Sequence, residues 1–154
     1  MTYSPTQATI RQRIIDNLKL TLEGMSTPTF ATEFASVKVW GGNVALAISE
    51  YPSAIIMPMG DESDDSRSAI LEHTLDLAIM LVVDDSDWAS ALERAIAEVQ
   101  GARLTDWQRG GVALDTKVLS STPWDDEATE PKAGAQMLVR VIYRTLYEDP
   151  TVAV

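Results

Sequence analysis

The chain has 154 residues, 45% hydrophobic and 23% charged, with a net charge of -11 and no cysteine. That length suits one domain with a real core, and the missing cysteine excludes disulfides, thiolate metal sites and a cysteine nucleophile. The acidic balance argues against coating DNA through phosphate contacts, no apolar run approaches the ~20 residues of a membrane span, and residues 1–7 lack the pattern of a signal peptide.

Residues 5–23 read as an amphipathic helix. Ile10, Ile14, Leu18 and Leu22 recur every four residues and Ile15 widens the stripe, while Arg11, Arg13 and Lys19 lie opposite. Ser4 suits the N-cap, Pro5 the first helical position, Gln7 a capping box and Gly24 the stop. Residues 25–36 read as irregular. Val37 to Trp40 is a short strand ending at Gly41-Gly42, and Val44 to Ser49 fits either a helical turn or extended chain. Ala54 to Met59 is strand-like, with Pro58 marking an edge or an end.

The polar stretch 60–68 predicts a wide, mobile acidic loop. Ala69 to Val83 follows as a long strand. Leu71, His73, Leu75, Leu77, Ile79, Leu81 and Val83 share one face, and Glu72, Thr74, Asp76 and Met80 the other. A second helix is expected from Asp87 to Gln100, capped by Ser86 and stopped by Gly101, with Trp88, Leu92, Ala95, Ile96 and Val99 as its stripe. Leu104 to Arg109 is a connector carrying Trp107, and Gly110-Gly111 reads as a turn. Val112 to Val118 alternates as a strand, and Thr122 to Lys132 predicts a second acidic loop. Ala135 to Tyr147 is a second long strand, with Met137, Val139, Val141, Tyr143 and Thr145 on one face and Arg140 and Arg144 on the other. Residues 148–154 read as a flexible tail ordered by a partner. The pattern implies a single α+β domain over 1–154: a mostly antiparallel or mixed sheet with two main helices on one face and a long β-hairpin loop.

Three acidic clusters stand out: Asp61, Glu62, Asp64 and Asp65; Asp84, Asp85 and Asp87; and Asp125, Asp126, Glu127 and Glu130. They read either as solvated loop charge or as a negative rim in an oligomer. His73, the single histidine, reads as a core or interface residue, since no nucleophile elbow accompanies it. The carboxylates at 61–65 lack the glycine placement and terminal glutamate of an EF-hand loop, and neither Gly-Gly pair has phosphate-loop spacing. No catalytic, cofactor or metal residue is therefore assigned, and the chain is not expected to be an enzyme. Trp124, in a proline-flanked acidic loop, suits a protein interface or plain exposure. Arg140 and Arg144 either solubilise a strand or pair with acids of a neighbouring copy.

Taken together, several stretches resemble the tail terminator, or tail completion, proteins of long-tailed bacteriophages. They are the helix Thr6 to Gly24, the segment Glu50-Tyr51-Pro52-Ser53-Ala54-Ile55-Ile56-Met57-Pro58, the acidic stretch before a leucine-rich strand, the helix Asp87 to Gln100, and the closing Gly134-Ala135-Gln136 strand through Tyr143-Arg144-Thr145 to Asp149-Pro150. The resemblance implies a virion protein, assembled in the host cytoplasm, that closes into a hexameric ring at the head–tail junction. It would cap the tail tube protein and dock the head completion or connector protein, with DNA passing through the lumen without specific binding and no membrane partner. Loops 60–68 and 120–134 would then reach neighbours, which makes Asp61, Glu62, Asp64, Asp65, Arg67, Trp124, Asp125, Asp126, Arg140 and Arg144 the candidate contacts. Another head–tail connector or neck protein is the nearest rival. A small cytoplasmic ligand-binding domain or enzyme is a different class of answer.

Overall fold

The computed structural model describes residues 6–40, 50–67, 69–103, 106–125 and 132–154. Two helices, α1 (Ile10–Glu23) and α2 (Trp88–Arg103), accompany six strands: β1 (Ser36–Val39), β2 (Ser53–Arg67), β3 (Ile70–Asp84), β4 (Asp115–Asp125), β5 (Lys132–Leu146) and β6 (Asp149–Ala153). The sheet order is β1-β2-β3-β5-β4, with β6 on β5. β1 runs parallel to β2, and every other pairing is antiparallel. This is the α+β arrangement with a mixed sheet that the sequence implies.

The helical stripes decide which face of the sheet is covered. Ile10, Ile14, Leu18 and Leu22 of α1 are all buried, as are Leu92, Ala95, Ile96, Val99 and Ala102 of α2. They share one core with Leu75, Leu77, Ile79, Leu81 and Val83 of β3 and with Met137, Val139, Val141 and Tyr143 of β5. These strand residues sit two apart, so both helices lie on one side of the sheet.

Helix α1 starts later than its sequence suggests. Thr9 is the N-cap, its hydroxyl accepting the Gln12 N–H at 3.2 Å. Gln7 is not in a capping box: its Oε1 lies 3.4 Å from Thr151 Oγ1 on β6. Ser4 and Pro5 lie outside the described residues. Gly24 caps the far end, donating to the Leu20 carbonyl at 2.9 Å. In α2 the cap position falls at Asp87, whose carbonyl accepts the Ala91 N–H, while its own N–H donates to the Asp85 carboxylate. Gly101 does not stop this helix. A Cβ there would meet nothing within 4 Å, and buried Ala102 anchors the last turn on the core. The predicted stretches Gly41-Gly42 and Val44 to Ser49 lie outside the described residues.

Three predicted loops or tails are strands instead. The stretch 60–68 is not a wide loop: β2 continues to Arg67, with Asp61 opposite Leu75, Glu62 opposite Thr74, Ser63 opposite His73 and Asp64 opposite Glu72. Ladder hydrogen bonds satisfy that backbone, and alternation keeps Glu62 and Asp64 in water. Likewise β4 runs on to Asp125 and β5 begins at Lys132, which leaves only 126–131, outside the described residues, between them. The closing residues are not a free tail. β6 pairs with β5 (Thr145 opposite Ala153, Leu146 opposite Asp149) and buries Asp149 and Thr151. The two turn glycines do match their role. Gly110 and Gly111 have φ of 72° and 84°, and Arg109 before them adopts 50°.

Candidate functional site

A β-bulge in β2 determines which of its charges meet the helices. In β2 the register shifts between Pro58 and Gly60, leaving Met59 unmatched. Below the bulge, Ala54 and Ile56 face the helices and pair with Leu81 and Ile79. Above it the parity flips, so Asp61 turns inward and Gly60, Glu62 and Asp64 outward, while Ser63 shares the face of Asp61 but is exposed.

Asp61 thereby enters a polar cluster on the helix-facing side. His73 Nδ1 lies 3.2 Å from Asp61 Oδ1, and His73 Nε2 lies 2.9 Å from Thr145 Oγ1. The Tyr143 hydroxyl donates to Asp61 Oδ2. The His73 and Tyr143 rings stack at 4.4 Å with 6° between their planes. In the imidazole tautomer with its proton on Nδ1, His73 donates to Asp61 and accepts from the Thr145 hydroxyl. Burial, and then the hydrogen bond to Asp61, push the Tyr143 hydroxyl well above its ordinary pKa, so it stays protonated as a donor.

Carboxylate, imidazole and hydroxyl in series is also the order of a nucleophile relay. Here the hydroxyl belongs to Thr145, which is 2% exposed, so in this conformation it is not offered to a substrate. What the array does is join β2, β3 and β5 through buried polar contacts.

On the outer face the two arginines are spoken for within the chain. Arg140 meets Asp76 in a two-pronged contact, Nε to Oδ1 at 2.9 Å and Nη2 to Oδ2 at 3.1 Å. Arg144 Nε donates to Glu72 Oε2 at 2.8 Å. Each pair sits directly across the β3–β5 ladder. The Arg140 hydrogen bond holds the Asp76 carboxyl below its ordinary range, against a smaller opposing effect of burial. Within the chain, both arginines pair with acids across the strands.

The remaining candidates divide by position. Glu62 and Asp64 are exposed. The side chains of Asp65, Arg67, Trp124 and Asp125, and the whole of Asp126, lie outside the described residues.

A second polar cluster escaped sequence reading. The Asp106 carboxylate accepts from Gly110 N–H and from Asn17 Nδ2, both at 2.9 Å. Burial opposes its ionisation, but these bonds and the Arg109 charge outweigh that and lower its pKa. Arg109 is 1% exposed, and its Nη1 lies 3.4 Å from Thr21 Oγ1. The only sequence signal was Gly110-Gly111, which allows the left-handed loop that turns Arg109 inward. On the opposite flank, Glu98 accepts the N–H groups of Ala31 and Thr32 at 3.0 and 2.7 Å, pinning the 25–35 segment to α2. A cleft of about 240 Å³ opens beside it, lined among others by Tyr51, Asp84, Asp85 and Arg94.

Among the described residues no group of three or more His, Asp or Glu side chains is placed to hold a metal ion, and no helix is long and apolar enough to cross a membrane. Compared with known proteins, the chain matches no family model and no curated sequence. What fold and site define is a class: an α+β domain with one helical layer and a long, internally braced β-hairpin.

Proposed function

We propose that this chain is a virion structural protein. It forms a ring, by the resemblance a hexameric one, at the head-proximal end of a phage tail tube. There it ends tube polymerisation and provides the docking surface for the head connector. The observation that carries this reading is the state of the sheet's two sides. β1 covers β2 only along Ser53–Ile56, and β4 ends the sheet on the other side. Among the described residues, no strand pairs with β2 beyond Ile56 or with the outer side of β4. Strands of 15 residues extend about 50 Å, whereas the 14-residue helix above them covers about 21 Å. A long sheet whose two sides carry no further strand among the described residues suits a subunit that associates laterally, and head-to-tail contacts of that kind close into rings.

The polar groups support the same reading from the other direction. His73 and both outer arginines are engaged in bracing the hairpin. The acidic surface, with Glu62 and Asp64 exposed, would repel DNA phosphates, so that DNA passes a channel without sticking.

The test has two stages. Light scattering and negative-stain imaging of the purified chain, alone and with tail tubes, should show rings and capped tubes. A phage lacking this protein should then make overlong tubes. Tails of normal length that fail to join heads would instead assign it to the head-side neck. A strict monomer that ignores tail tubes would sink both.

A further inference from the structure

A ring of identical copies needs two different surfaces on each copy, one for the neighbour on either side. The two free sides of the sheet are matched in a way that ring closure requires.

β4 carries one bulge, and β2 carries two register shifts, at Pro58/Gly60 and at Asp64/Arg67; the first of these and the β4 bulge each display a large apolar residue. Met59 is the extra residue in β2 and is 60% exposed, while Leu119 is the extra residue in β4 and is 43% exposed. Pro58 lies opposite Leu77, Leu77 opposite Val139, and Val139 opposite Val118. The two bulges therefore stand at one height on the sheet, within a residue step of about 3.3 Å. β2 and β4 also run in opposite directions, because β2, β3, β5 and β4 alternate. A β4 side set against the β2 side of another copy is then antiparallel, with the bulges meeting.

The charges agree. Just above its bulge β4 presents Lys117, whose side chain is 53% exposed and forms a loose ion pair with Asp115 of the same strand at 3.8 Å. β2 presents exposed Glu62 and Asp64 on the same outer face. In a chain of net charge -11, Lys117 is the cation on the β4 side at this height, and its loose, solvent-exposed pair with Asp115 leaves it able to exchange one carboxylate for another.

Pro58 lacks an N–H and the bulges interrupt the ladder, which discourages unselective strand addition. A purely protective edge would carry charges at its bulges, whereas these carry Met and Leu.

We infer that Met59 of one copy packs against Leu119 of the next, with Lys117 facing Glu62, as the lateral seam of a head-to-tail ring. Side chains rather than a continuous backbone ladder make the contact. The inference rests on the ring reading above, and it names the surfaces that reading leaves open.

The chain has no cysteine, so introduced thiols report alone. Within one chain the two bulges are separated by β3 and β5, about 14 Å, whereas a disulfide needs Cα atoms within about 7 Å. Under mild oxidation the Met59→Cys/Leu119→Cys variant should give a ladder of covalent oligomers ending at the ring size, with each single variant staying monomeric on a denaturing gel. Lys117→Glu should weaken ring formation at least tenfold in concentration, and adding Glu62→Lys should restore it. Rings that form without this ladder would overturn the seam and leave the ring reading standing. Covalent dimers of a single variant would overturn it in favour of a two-fold, like-with-like contact. Monomers at all concentrations, with or without tubes, would remove the ring reading and the seam together.

Discussion

At the scale of single residues, Asp61 carries the largest structural consequence. It sits among acids that look interchangeable in sequence, yet its side chain is only 14% exposed and binds both His73 and Tyr143. Replacing it by lysine should cost about 2–3 kcal/mol, since it leaves the buried Tyr143 hydroxyl and the half-buried His73 ring without their shared partner. Glu62→Lys and Asp64→Lys, at exposed positions, should stay within about 0.5 kcal/mol. Urea unfolding of the three variants checks the contrast, and equal effects would show that Asp61 is not inward. The Tyr143 hydroxyl adds an alkaline limit. Its folded pKa is raised, so its contribution is fully present below the unfolded tyrosine value of about 10 and is lost progressively as pH rises from there towards the raised folded value. The urea midpoint should fall above that pH, and Tyr143→Phe should reduce the fall.

At the scale of elements, β3 behaves as its alternation predicts. Leu75, Leu77, Ile79, Leu81 and Val83 are all buried between the helices and the sheet. Leu77→Asp places an unpaired charge at a fully buried position, and a loss of about 4 kcal/mol or outright unfolding is expected. Near-normal stability by circular dichroism melting would show that this face is not the core. β2 is the element the sequence conceals. Its upper half is polar enough to read as a loop because β-propensity is low for Asp, Ser and Gly. What makes it a strand is the ladder to β3 and the inward anchor at Asp61. The bulge at Met59 shifts the alternation by one, so a strict period-two reading would assign Asp61 to the wrong face.

At the scale of the whole molecule, the carboxylates set the acid limit. The Asp76, Glu98, Asp106 and Asp149 pKa values are all lowered in the folded chain. Asp149 is held down by the Thr151 hydroxyl and N–H. A lowered folded pKa gives stability that is present above the unfolded value and lost as pH falls through the folded one. The urea midpoint should therefore drop below about pH 4, and Asp76→Asn should make that drop shallower. The chain end belongs to the same cooperative unit. Deleting residues 148–154 removes buried Asp149 and Thr151 and the strand beside α1. Stability should fall by at least about 1 kcal/mol, and an unchanged urea midpoint would restore the picture of a loose tail.

The sequence by itself determined the α+β class, both helical stripes, the core face of each long strand and the outward placement of Arg140 and Arg144. Those follow from local periodicity, which a chain carries wherever it folds. Only the tertiary structure decided that residues 60–67, the start of the second acidic stretch and the closing residues are strands. It alone placed Asp61 with His73, paired each arginine with an acid across β3 and β5, and turned Arg109 inward. Each of these depends on contacts between residues far apart in the chain, and on bulges that shift a strand's parity. A one-dimensional pattern does not record which distant backbone will satisfy an N–H.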